Sequence, residues 1–418
     1  MKILMVHNTY QHRGGEDVAV EAETRLLAER GHAVVRYQRN NDELRDRHGF
    51  SSLRTGLETV WASRSFREVK ALVAREKPDV AHFHNTLPLI SPAAYYACAE
   101  ADVPVVQTLH NYRLLCPSAT LLRDGKVCEA CLGRSVPWPG VVHACYRDSR
   151  AATAAVAAML AIHRTMGTWK RKVDVYVALT EFARRKFTEG GLPAERIAVK
   201  PNFVVCDHGA KKEPGEYALY VGRLAEEKGL RVLLGAWERL RETIPLRIAG
   251  DGPLKAELAK EIGAKELRGV EMPGQVSRED IVTLVRGARF LVFPSIWYET
   301  FGLAIIESFA CGVPVIASRL GSMAEIVEDG KTGMHFTAGD EADLAAKVEW
   351  AWNRPEELLC MGRAARQEYE AKYTAERNYS RLMDIYRQAL EQPNRNASSA
   401  VAPHAEAASC ASSGEEER

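Results

Sequence analysis

Glu299 and Glu307 close the stretch Glu299-Thr-Phe-Gly-Leu-Ala-Ile-Ile-Glu307 and stand eight residues apart. Phe293-Pro-Ser-Ile-Trp-Tyr reads as the end of a strand, and residues from Gly302 onward have helical spacing. The first acid should therefore project from a loop and the second from a helix. Two carboxylates so placed can hold a polyhydroxylated ligand, and the unpaired amides of the helix start between them suit a phosphate.

Further constellations fall where strands are expected to end. Gly14-Gly15-Glu16-Asp17 follows the first strand and opens a helix that runs to Arg30, with Gly31 as its stop. Glycines there let a phosphate or sugar approach the backbone, although a glycine pair at a helix start also reads as a tight turn. Val221-Gly-Arg223-Leu-Ala-Glu-Glu-Lys228-Gly229 repeats the arrangement and adds two cations, Arg223 and Lys228. Cations oppose the dipole at a helix start, so a ligand role is favoured: a clamp on a diphosphate whose charge grows as it departs. Ala249-Gly-Asp-Gly-Pro253 and Gly274-Gln-Val276 are two more such turns, and the second could read a nucleobase edge through its backbone.

The absences narrow the chemistry. No D-x-D occurs, so the usual carboxylate platform for a divalent metal on a sugar nucleotide is missing. Asp329-Gly330-Lys331-Thr332 resembles the end of a P-loop, but Glu325 stands where the first glycine must be. Lys255 replaces the third glycine of a dinucleotide fingerprint at Gly250-Asp-Gly252. Neither G-x-S-x-G nor H-E-x-x-H is present.

These residues need elements to hold them. Short Val/Ile/Leu-rich runs alternate with helical periodicity from Lys2 almost to Ala389, the pattern of parallel sheets with helices on both faces. Strands are expected at 3–7, 33–37, 80–84, 105–110, 175–180 and 197–200, then, after a polar Pro- and Gly-bearing linker, at 217–221, 246–249, 270–272, 290–293 and 313–317. The fold class is α/β: two facing Rossmann-like, doubly wound domains with a ligand cleft at the strand ends. Residues 1–200 form the first, 201–216 the linker, 217–372 the second, 373–392 a helix that could cross back to the first, and 393–418 a disordered Ala/Ser/Glu tail.

With 418 residues, 46% hydrophobic and 27% charged, the chain has the make-up of an ordinary globular protein of two domains. A net charge of +1 gives no reason to expect nucleic acid, and basic clusters such as Lys170-Arg171-Lys172 read as solvated helix faces. The N-terminal run is too short for a signal peptide, and Ala151–Ile162 is too short to span a bilayer, which leads to a cytoplasmic expectation. Nine cysteines fit reduced thiols in that setting. Four of them, Cys116, Cys128, Cys131 and Cys145, form C-x11-C-x2-C-x13-C. The spacing suits a structural zinc that pins the long loop after His110, or leaves four free thiols in a loop.

Taken in order over most of the chain, Gly14-Gly15, Arg223 with Lys228, and E-x7-E from Glu299 to Glu307 resemble the retaining glycosyltransferases of family 4, of the GT-B fold. The resemblance implies that Gly14, Gly15, Arg223 and Lys228 hold a donor diphosphate and that Glu299 meets the transferred sugar. It implies that Glu307 meets the ribose and that the amides of Phe301, Gly302 and Leu303 lie near phosphate or sugar, with Val276 at the base. His110, in Gln107-Thr-Leu-His110, corresponds to a histidine beside the sugar, with Arg223, Lys228 and Glu299 completing the catalytic set. His7, His82 and His84 are less favoured. The implied reaction moves a sugar from a UDP- or GDP-sugar to a carbohydrate or lipid-linked hydroxyl with configuration kept, without a catalytic cofactor. It proceeds by front-face substitution in which the departing phosphate helps to take the acceptor proton. Cell-surface polysaccharide or glycolipid synthesis on the inner face of a membrane, with peripheral contact, is the implied setting. A sugar-nucleotide epimerase of like architecture and a non-catalytic scaffold are the competing readings.

Overall fold

The computed structural model describes residues 1–11, 14–44, 50–241 and 244–391. Its first sheet is built from β1 (Lys2–Thr9), β2 (Ala33–Asn40), β3 (Val80–Phe83) and β4 (Val105–Thr108). A small hairpin, β5 (Leu122–Arg123) and β6 (Lys126–Val127), precedes the last two strands, β7 (Val175–Ala178) and β8 (Ile197–Val199). The order is β2-β1-β3-β4-β7-β8, with every pairing parallel. Residues Ile3 to Val6 are buried on both faces of β1, which is why the sequence shows an unbroken apolar run there instead of alternation.

The second sheet takes β9 (Tyr217–Val221), β10 (Leu246–Ala249), β11 (Val270–Gly274), β12 (Ala288–Phe293), β13 (Val315–Ser318) and β14 (Gly333–Phe336). Its order is β11-β10-β9-β12-β13-β14, again all parallel. In each sheet the winding reverses beside the domain's first strand, between β1 and β3 and between β9 and β12. Ligands of doubly wound sheets sit at such switch points, and both glycine loops follow these first strands. The α/β doubly wound expectation is met. Strand β14 and the hairpin are additions to it: Gly333-Met-His-Phe336 has no alternation to betray a strand, whereas the hairpin turns on Asp124 and Gly125, both at positive φ of 52° and 70°.

The chain crosses between domains twice, side by side. Going out, the Val204 amide donates to the Tyr373 carbonyl at 3.1 Å, and Val204 bridges Thr374 on the returning strand. Beyond that crossing the helix Ala375–Glu391 lies on the first sheet, where Leu382, Ile385, Tyr386 and Ala389 pack with Ile3, Met5, Val175 and Val177. Among the described residues no helix is long and apolar enough to cross a membrane. Residues 393–418, read as a tail, lie outside the described residues.

Candidate active site

The facing strand ends enclose a cavity of about 820 Å³. Its wall includes Gly14, Gly15 and His110 from the first domain and Arg223, Lys228 and Val276 from the second. Glu299, Phe301, Gly302, Leu303 and Glu307 complete the second-domain side, so one space gathers every expected residue except the four cysteines.

Glu299 stands in the loop after β12 and Glu307 on the helix Leu303–Ala310. Gly302 caps that helix at φ 140°, a conformation closed to other residues, and a Cβ there would press on Ile305 Cδ1 at 3.0 Å. Among the described residues, the amides of Phe301 and Gly302 donate to no backbone carbonyl, which leaves them for a ligand in the cavity. Lys228 ends the short 3-10 turn Glu226–Lys228, and the following Gly229 sits at φ 69° with no room for a Cβ beside the Pro294 carbonyl. That contact presses the cation loop against the loop after β12 that carries Glu299.

The loops are joined chemically as well. Lys228 Nζ lies 2.6 Å from Glu299 Oε1, which also accepts from Ser295 Oγ at 2.7 Å. Assigned apart to diphosphate and sugar, Lys228 and Glu299 are thus one ion pair with two faces. Arg223 is exposed, and its guanidinium pairs with no group among the described residues.

From the first domain, His110 reaches the wall with its Nε2 already bonded to His84 Nδ1 at 2.8 Å, which leaves Nδ1 as its remaining ring nitrogen. Behind it runs a buried polar chain. His82 meets Tyr386 and Thr108, each at 2.8 Å, and Glu23 lies 3.1 Å from His82 and 2.6 Å from Lys200. Burial, then His82, hold His84 well below the ordinary imidazole range; burial, then His7, bring His110 down to about 3. Unfolded imidazoles take up protons below pH about 6.5 and these two do not, so the contribution to stability is full above that value and lost on acidification. The melting temperature of the first domain should accordingly fall between about pH 7 and 5, and a flat profile there would contradict neutral buried rings.

Sequence reasoning set His82 and His84 below His110 and passed over the rest of this chain and its neighbour Glu16, because single histidines and acids at strand ends carry no pattern. The two-residue spacing of His82 and His84, which sets both on one side of the strand, was the available signal.

The two domains meet below the cavity through Thr300 Oγ1, which donates to the His110 carbonyl at 2.7 Å, and through Thr180 and Ser322 hydroxyls 2.8 Å apart. Glu325, at the place that breaks the P-loop pattern, accepts from the amides of Glu181 and Phe182 at 2.8 and 2.6 Å. A carboxylate of one domain thereby caps the helix Glu181–Glu189 of the other.

The four cysteines of the zinc expectation lie near one another: Cys116, Cys145 and Cys128 all act on the Cys131 thiol, and Cys116 and Cys128 on that of Cys145. Among the described residues, the one set of three or more possible ligands with all donor atoms within 4.8 Å is Glu23, His82 and His84, where the Lys200 ammonium already supplies the cation. Cys116 Sγ lies 3.1 Å from Ser118 Oγ and Cys131 Sγ 3.8 Å from the Pro137 carbonyl; burial, then Cys116, push the Cys131 thiol up to about 11. Four thiols are the right donors for zinc, and among the described residues no three of their sulfurs lie within 4.8 Å of one another.

Two parallel-stranded domains facing across a cleft lined in this way define the class of GT-B glycosyltransferases. The family described as glycosyl transferases group 1 matches residues 207–368, and that described as glycosyltransferase family 4 matches residues 13–208. Glycogen synthase of Mycobacterium tuberculosis is 30% identical over 335 residues, 76% of this chain and 69% of that one. D-rhamnosyltransferase WbpZ of Pseudomonas aeruginosa is 33% identical over 178 residues, but the match spans only 42% of this chain and 46% of WbpZ. Anabaena Alr3699/HepE, solved in complex with UDP, superposes with a TM-score of 0.66 at 17% identity, covering 92% of this chain and 99% of that one. The chain belongs to glycosyltransferase family 4, and glycosyl transfer is its reaction class.

Proposed function

We propose that the protein is a retaining glycosyltransferase that moves a sugar from a nucleoside diphosphate to an acceptor hydroxyl. The observation that carries the reading is the single cavity in which Arg223, the Lys228–Glu299 pair, the helix-start amides and Glu307 converge. A diphosphate set among the cations and amides places the sugar at Glu299 and the ribose at Glu307. Glu299 is already paired with Lys228 and so is not set up as a nucleophile, which favours attack on the face from which the diphosphate leaves.

HepE has also been solved with UDP-glucose, which supports a nucleotide-sugar donor here, and a D-rhamnosyltransferase and an Escherichia coli O-antigen chain mannosyltransferase among the relatives support work on surface polysaccharide. Exposed Val136, Trp138 and Val142, with Arg134 stacked 5.4 Å from the Trp138 ring, support peripheral contact with the cytoplasmic face of a membrane.

A thermal-shift screen of UDP-, GDP- and ADP-sugars tests the donor, since a ligand of the native state alone raises its melting temperature. Glu307→Gln should weaken the selected nucleotide's binding about tenfold with little change in turnover, and Glu299→Ala should do the reverse. The opposite pattern sinks this division of roles. Free nucleoside diphosphate that accumulates only with an acceptor separates transfer from epimerisation and from scaffolding.

A further inference from the structure

The four cysteines spaced as C-x11-C-x2-C-x13-C stand outside the cavity wall, in the least regular part of the chain. Between β4 and the helix Arg150–Thr165, the described residues 109–149 hold only the hairpin β5–β6 and the short helix Trp138–Val142. Ala119, Leu121 and Ala144 are kept there at positive φ of 69°, 50° and 49°, a conformation that persists only where the surroundings fix it. Apolar burial fixes the start of the segment, where Tyr112, Leu115 and Leu121 enter the first-domain core. Farther out Val136, Trp138 and Val142 are exposed, so the outer turns need another anchor.

The cysteine-bearing turns converge on Gly140. A Cβ there would meet Pro117 Cγ at 2.9 Å and Cys131 Sγ at 3.5 Å, and the Gly140 carbonyl accepts from the Cys145 amide at 3.0 Å. Pro117 follows Cys116, so three of the four cysteines reach this one residue. The hairpin brings in the fourth, because the Cys128 amide donates to the Leu121 carbonyl at 2.7 Å and Cys131 follows three residues later. All four are free thiols. Burial, then Cys116, raise the Cys131 thiol, and Cys145 and Cys128 add to the effect. Thiolates so crowded repel one another, and a divalent cation among them reverses that repulsion.

We propose that Cys116, Cys128, Cys131 and Cys145 bind one zinc ion that pins this segment to the first domain. The ion takes the place of four thiol protons, which pass to solvent, and the resulting centre carries two negative charges. Arg123 beside Cys145 and Arg164 beside Cys131 are placed to balance them, and the Gly140 amide favours the Cys131 thiolate. Bonds of about 2.3 Å to a tetrahedral zinc set the sulfurs about 3.8 Å apart. As thiols, Cys116 turns instead to Ser118 and Cys131 to the Pro137 carbonyl, and no three of the sulfurs lie within 4.8 Å of one another. A change of χ1 rotamer moves a cysteine sulfur by about 3 Å, so closure on the ion needs rotation of side chains on the existing backbone. With four sulfur ligands the ion has no position open to substrate, and its role is structural. It acts on the reaction through the segment's two ends. Tyr112, two residues after His110, donates to the Glu299 carbonyl at 3.4 Å, and Arg147, two residues after Cys145, lines the cavity.

The test is the zinc content, by plasma mass spectrometry, of the full chain purified under reductant and without chelator. About one zinc per chain is expected. Cys131→Ser and Cys145→Ser should each lower the content about tenfold or more, whereas Cys206→Ser, exposed and in the linker, should leave it unchanged. Protein that holds no zinc and takes none up when zinc is added overturns the proposal. So does zinc retained in both serine variants, or a disulfide found between any two of the four cysteines. If the serine variants do not fold, cobalt exchanged into wild-type protein decides: thiolate-to-cobalt charge-transfer bands are expected, and a spectrum of nitrogen and oxygen ligands alone, as Glu23, His82 and His84 would give, overturns the assignment. Proteolysis within residues 117–149 should quicken about tenfold in wild-type protein stripped of zinc, and unchanged cleavage overturns the pinning role.

Discussion

Lys228→Ala is expected to slow nucleoside diphosphate release by about 10²- to 10³-fold, the range for loss of one preorganised group that stabilises developing charge. Two effects add in the same direction. The ammonium that neutralises the departing diphosphate is gone, and Glu299, 6% exposed and 2.6 Å from Lys228, keeps only Ser295 as a side-chain partner among the described residues. A charge left in that condition raises its pKa or draws in water, and either change moves the oxygen that should meet the sugar. The pair therefore acts as a unit, and adding Glu299→Ala to Lys228→Ala should cost much less than the product of the single losses. Steady-state rates of the two single variants and the double variant give the answer. Rates in Lys228→Ala within about threefold of wild type would sink the clamp.

The largest effect on stability is expected at Lys200. Its side chain is 1% exposed, and Nζ bonds Glu23 at 2.6 Å and Asn378 at 3.4 Å. Burial alone would raise Glu23, but Lys200 and then His82 hold it well below the usual carboxylate range. Lys200→Ala removes the cation and leaves the carboxylate buried among histidines, a change that costs about 3 to 5 kcal/mol. Replacing both partners, as in Lys200→Met with Glu23→Leu, should recover most of that loss, because no charge is then stranded. Urea unfolding followed by first-domain fluorescence measures both, and a loss below about 1 kcal/mol in Lys200→Ala would show the pair to be dispensable.

The site was legible to the extent that its parts are local. Glycines at a strand end, cations on the next turn and acids spaced over a helix start can be seen in one dimension, because each reports the backbone beneath it. Among the described residues, the twelve strands of the two parallel sheets followed the same logic, apart from β14, whose residues carry no period. What the sequence hid was pairing across long separations. Lys228 and Glu299 are 71 residues apart, and His82 and Tyr386 are 304 apart. Glu16 escaped notice for a related reason. An acid in the first turn of a helix is the commonest of dipole partners, and only the arrival of Tyr10 and Asn111 from separate segments shows that this one faces a cleft.

The paired crossings at Val204 and Thr374 bear on how the molecule breathes. A single tether would let one domain twist, slide and swing against the other. Two adjacent tethers, bonded to each other and anchored by the helix Ala375–Glu391, behave like the spine of a book and leave mainly one swing. Glu16 and Gly15 stand on one cover, Lys228 and Glu299 on the other. Opening to release product and closing to exclude water would then be the same motion run in two directions, with acceptor and donor groups always meeting in the same register.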